Sequence, residues 1–128
     1  MSNVKTTLSL VSVGLIALLT GCSGDSQVSF SEDVQPILNE NCLKCHKEGG
    51  AGYEENGLSM VSYELLMKGT KFGPVIEAGS SVSSTLARLI SGNADPSLTM
   101  PHGAGNKPLS EAEVATIKAW IDQGAMNN

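Results

Sequence analysis

Aromatic side chains are scarce: Phe30, Tyr53, Tyr63, Phe72 and Trp120 are the only five in 128 residues. A chain of this length makes one domain. So few large apolar rings leave a thin core, which something other than side chains must help fill. Basic residues are also few, eight against thirteen acidic ones, for a formal net charge of −5. Without a basic patch, nucleic-acid binding is excluded. The acidity either keeps the protein soluble or selects a partner with a basic docking surface. No alternating apolar pattern marks a strand and no internal repeat is present. The longest apolar run falls short of the roughly 20 residues that a membrane-spanning helix needs.

That run lies in the first 21 residues, which have the form of a signal peptide: Lys5 precedes an apolar stretch from Leu8 to Leu19, broken by Ser9, Ser12 and Gly14. Leu19, Thr20, Gly21 and Cys22 resemble the bacterial lipobox, in which cleavage falls before a lipid-bearing cysteine. Cys22 is therefore expected to be lipidated and to anchor the protein to the periplasmic face of a bacterial membrane through several acyl chains, since one chain binds only marginally. Residues 22–29 are small and polar, a tether, and the folded domain is expected over 30–128.

About four helices are expected. Val34, Ile37 and Leu38 are spaced i, i+3, i+4, with Asp33 as the cap and Pro36 in the first turn. Gly49, Gly50, Gly52 and Gly57 predict a loop. Ser62 caps a short helix over Tyr63 to Lys68, closed by Gly69. The serines from Ser80 onward lead as caps into Leu86, Leu89 and Ile90, with Gly92 as the stop. Pro96, Pro101, Pro108, Gly103 and Gly105 exclude regular structure from 93 to 108. The last helix is the best marked: Ser110 and Glu113 make a capping box, Leu109 and Val114 a staple, and Gly124 the end. Val114, Ile117, Trp120 and Ile121 form its buried face. The fold class is all-α with long Gly/Pro-rich loops.

Cys42, Leu43, Lys44, Cys45 and His46 form a C-x-x-C-H sequence, the attachment signature of c-type haem. Two thiols three residues apart reach the two vinyl groups on one haem edge, and the adjacent histidine reaches the iron. Zinc would use the same residues, but no second cysteine pair exists. A thioredoxin-like pair lacks its βαβ context, and a plain structural disulfide is the remaining alternative. What fills the sixth iron position separates electron transfer from ligand chemistry. Met100, stiffened by Pro101, is the first candidate, ahead of Met60 and His102. The alternative is an open site, and the bland reading of any methionine is core filler.

Taken together the chain resembles a single-haem, class I-like cytochrome c, and particularly the planctomycete-type cytochrome c domains. The residues that carry this are Phe30, Asp33, Val34, Pro36, Ile37 and Leu38; Cys42, Cys45 and His46; Gly57 and Leu58; Gly73 and Pro74; Gly79, Ser84, Leu86, Arg88 and Ile90; Met100 and Pro101; and Leu109, Ser110, Glu113, Trp120, Ile121, Gly124 and Ala125. The resemblance implies a small cytochrome c-like fold around one covalent haem c on Cys42 and Cys45. His46 and Met100 would be the axial ligands, with the first and last helices packed together beside the haem. His102, two residues from Met100, is the departure. The expected function is one-electron transfer between a redox donor and an acceptor, with no catalytic group visible. The alternatives are a haem enzyme or gas sensor with an exchangeable sixth ligand, and an electron-entry subunit of a larger redox complex.

Overall fold

The computed structural model describes residues 26–103 and 105–128. The expected signal peptide, Cys22 and residues 23–25 of the expected tether lie outside the described residues. Within them the chain is helical: α1 (Gln35–Asn41), α2 (Ala51–Asn56), α3 (Tyr63–Lys68), α4 (Thr85–Ile90) and α5 (Glu111–Asp122). A π-helical turn, Phe30–Val34, leads into α1, and a 3-10 turn, Pro96–Leu98, lies between α4 and α5. Among the described residues there is no strand, only an isolated bridge between Thr70 and Gly73, and no helix is long and apolar enough to cross a membrane.

Helix α5 has the predicted boundaries for the predicted reasons. Ser110 Oγ accepts the Glu113 N–H and the Glu113 carboxylate accepts the Ser110 N–H, at 3.2 and 2.7 Å, so two orphan donors are satisfied reciprocally. At the other end Ala125 N–H donates to Trp120 O and Gly124 N–H to Ile121 O, with Gly124 at φ 105°, the Schellman arrangement that suits glycine. Ile117, Trp120 and Ile121 are buried, with Val114 packed against them.

Elsewhere the structure corrects the sequence reading. Ser29, not Asp33, caps the first helical segment: its Oγ accepts the Glu32 N–H, while the Asp33 carboxylate reaches back to the Ser29 N–H at 2.8 Å. Pro36, which has no N–H to donate, falls where the π turn gives way to α1. Ser84 precedes α4 without a side-chain cap; its hydroxyl instead donates to Ser80 O at 2.8 Å and accepts the Glu77 N–H, closing the turn below the helix. A fifth helix, α2, occupies the stretch expected to be a loop, and Pro96–Leu98 adds a short turn where none was expected.

The π turn packs against α5 and α3 through aromatic rings. Phe30 lies 5.3 Å from both Tyr63 and Trp120, centroid to centroid. Tyr63 Oη donates to Ala125 O and Trp120 Nε1 to Met126 O, each at 2.9 Å, so both rings bury their bodies and satisfy their polar ends. Residues 26–29 join the same assembly: Val28 N–H donates to Gln123 Oε1 at 2.7 Å, and Ser29 and Ser31 hold the Asn128 carbonyl. The first and last helical segments therefore pack together, which leaves the Cys42 turn at the edge of this cluster.

Candidate haem-binding site

Helix α1 ends at Cys42, whose N–H still donates to Leu38 O at 2.9 Å. The Cys42 carbonyl then accepts both the Cys45 and His46 N–H groups, at 3.1 and 2.9 Å. One tight turn thus carries both thiols and the imidazole. Cys42 is buried, Cys45 half-buried, and the two are not joined to each other. Burial pushes the Cys42 thiol up to about 11, helped by Cys45 and Glu113, so it is held as a neutral thiol.

Helix α2 and the segment after it clamp this turn. Tyr53 N–H donates to Cys45 O and Met60 N–H to His46 O, both at 2.9 Å. Two of the glycines read as loop formers, Gly50 and Gly52, serve close approach instead. A Cβ on Gly50 would lie 2.5 Å from the Cys45 carbonyl oxygen, and one on Gly52 2.7 Å from His46 Cε1. Gly57 ends the helix at φ 80°, left-handed. The sequence carried a signal for α2, Tyr53 to Asn56 followed by glycine at the closing position, which the glycine density obscured. Leu58 was part of the resemblance but was not singled out at the site.

Cys42, Cys45 and His46 border a cavity of about 660 Å³, within the range of roughly 300–1,000 Å³ typical of ligand and cofactor sites. Its walls come from two stretches: the Cys42 turn with α2, Leu58 and Met60, and the chain from Thr70 to Asn106, including Val75, Leu86, Ile90 and Met100. All three candidates for a second ligand, Met100, Met60 and His102, line this one cavity. Met100 is half-buried and its N–H donates to Leu89 O at 3.1 Å, which ties its loop to α4. Met60 is buried, and its backbone is bonded to that of His46 itself. His102 is exposed, with its carbonyl accepting from Asn106 Nδ2 at 2.6 Å.

The cavity suits a haem on three observations. It is walled mainly by apolar side chains. His46 is buried and its pKa is lowered by desolvation, an effect partly offset by the Leu58 backbone and reinforced by the charge of His102, a shift toward the neutral ring that binds a metal. Finally, its Nδ1 is buried without a well-formed hydrogen bond, so no strong polar partner competes for the ring, and Nε2 is the nitrogen that a haem iron would take.

The helical domain brings both thiols, the His46 imidazole and a methionine onto one mainly apolar cavity, the set of groups that a c-type haem would need. Residues 42–102, which hold the Cys42 turn, α2, Met60, Met100 and His102, match the family model described as Planctomycete cytochrome C, and that match implies haem c. Among solved structures, the hydrazine synthase of Kuenenia stuttgartiensis is similar at 26% identity with a TM-score of 0.52. The match covers 77% of this chain and 16% of that chain. No curated protein matches the chain.

Proposed function

We propose that this protein is a one-electron carrier with a single haem c, anchored by lipid on Cys22 to the periplasmic face of a bacterial membrane. Cys42 and Cys45 would hold the haem covalently, and His46 and Met100 would ligate its iron. When bound, the haem supplies a one-electron iron couple, whose potential a methionine ligand raises. The protein's own contribution is to keep His46 neutral, to hold both cysteines on one turn, and to exclude water with Leu58, Val75, Leu86 and Ile90. The observation that carries the reading is that Met100, 54 positions after His46 in the chain, lines the same cavity. Met60 is the weaker candidate because its backbone hangs on that of His46.

Purified protein is tested by three measurements. Haem should remain with the denatured chain in a gel. The oxidised protein should show the weak sulfur-to-iron band at the red end of the spectrum, which Met100→Ala should abolish while opening the iron to carbon monoxide. His102→Ala should leave both unchanged. A colourless protein, or a Met100→Ala variant indistinguishable from wild type, overturns the assignment.

The likeness to hydrazine synthase supports a second reading at the level of partners: the domain passes electrons to or from a larger redox complex, docked through its acidic surface. Reduction by a basic partner should then slow as salt rises, because exposed charges are screened over about 10 Å at 0.1 M.

A further inference from the structure

We propose that Gly52 is a positioning residue for the iron ligand: the missing side chain on α2 lets the helix backbone bear directly on the His46 imidazole and fix its orientation. This rests on the reading of His46 as the axial ligand and concerns what sets its ring.

The backbone does not require glycine at position 52. Gly49, Gly57 and Gly69 hold φ near +80°, where glycine is the natural choice. Gly52 sits in the first turn of a helix without a positive φ, a conformation that any residue with a side chain adopts. What excludes a side chain is the ring. A Cβ would lie 2.7 Å from His46 Cε1, 3.0 Å from Nδ1 and 3.1 Å from Nε2, so the place of a side chain at position 52 is taken by the ring edge that joins the two nitrogens.

Neither partner is free to give way. His46 is only 8% exposed. Helix α2 is held to the same turn by the Tyr53 N–H on the Cys45 carbonyl, and the Met60 N–H holds the His46 carbonyl. An added methyl group must therefore turn the ring or lift the helix off Cys45. Groups that orient a ligating histidine tune the metal it binds, and here a helix backbone does so by contact.

The contact is tested first on wild type. In reduced, haem-loaded protein, the Gly52 α-protons should give a nuclear Overhauser cross-peak to His46 Hε1; its absence overturns the proposal. Gly52→Ala should then keep its covalent haem but change the low-spin ferric EPR signal and move the one-electron equilibrium about tenfold, ~59 mV. Gly49→Ala is the control: it strains a backbone at φ +79° but meets nothing within 4 Å, and should keep the wild-type signal and potential. An unchanged Gly52→Ala, or equal changes in both variants, overturns the proposal. If Gly52→Ala does not accumulate, the cross-peak decides. Covalent haem in wild type with no Gly52 effect sinks this inference alone, whereas a wild type without haem sinks the carrier reading and takes this one with it.

Discussion

Phe30, Tyr63 and Trp120 stand with ring centroids 5.3 to 6.4 Å apart, whereas Cys42, Cys45, His46 and Met100 border a space of 660 Å³. Three of the five aromatic rings are spent on the first region. At the second, Phe72 lies on the rim, 82% exposed, and glycines take the places where backbone meets backbone or ring. One region fills its interior with its own side chains; the other is shaped for a group the chain does not encode. The missing core volume inferred from composition is therefore local to one side of the molecule.

The strongest way to break this contrast is to remove the haem attachment. Cys42→Ser with Cys45→Ser should abolish covalent haem and strip amide-exchange protection from residues 70–106, while α5 keeps the greater part of its own. If protection falls equally in both regions, they are one cooperative unit and the contrast fails.

Trp120→Ala attacks the other side. It should cost about 3–5 kcal/mol in urea unfolding, as loss of a buried large aromatic does, and leave the iron spectrum unchanged. A spectral change would mean that the aromatic cluster also holds the ligands.

Tyr63→Phe should cost about 1–2 kcal/mol, because the Ala125 carbonyl loses its donor; thermal unfolding would measure it.

The smallest effect belongs to the α5 cap. Ser110→Ala should cost about 1 kcal/mol at neutral pH. Bonds from the Ser110 backbone and side chain, with a further one from Asn41, hold the Glu113 carboxylate below its usual range. That stabilisation is present above the ordinary carboxylate pKa and is lost as pH falls through the depressed value. The gap between wild type and Ser110→Ala, followed by unfolding from pH 7 to pH 3, should therefore narrow as the medium becomes acid.

The capped ends of α3 and α5 were legible in the sequence because Ser62, Ser110, Glu113 and Gly124 act on neighbours within a few residues. The Cys42 turn was legible for the same reason. Helix α2 was not. Gly50 and Gly52 read locally as breakers, and their purpose lies in contact with Cys45 and His46, which no periodicity reports. The first cap failed differently: Asp33 and Ser29 both suit the end of a helix, and the π turn that brings them into reciprocal bonds depends on packing Phe30 beneath Trp120. Ser84 stood in a capping position, but its hydroxyl found Ser80 and Glu77 closer to hand.

By itself the sequence determined the all-α class, the attachment motif and the short list of ligands, since each depends on residue type and near spacing. Only the tertiary structure decided that Met100, Met60 and His102 line one cavity with His46, and that the His46 ring is buried where a side chain at position 52 would meet it. These properties depend on burial and on approach between distant segments. They exist only once α2 and Met60 have packed on the Cys42 turn and the Met100 loop has been tied to α4 across the cavity.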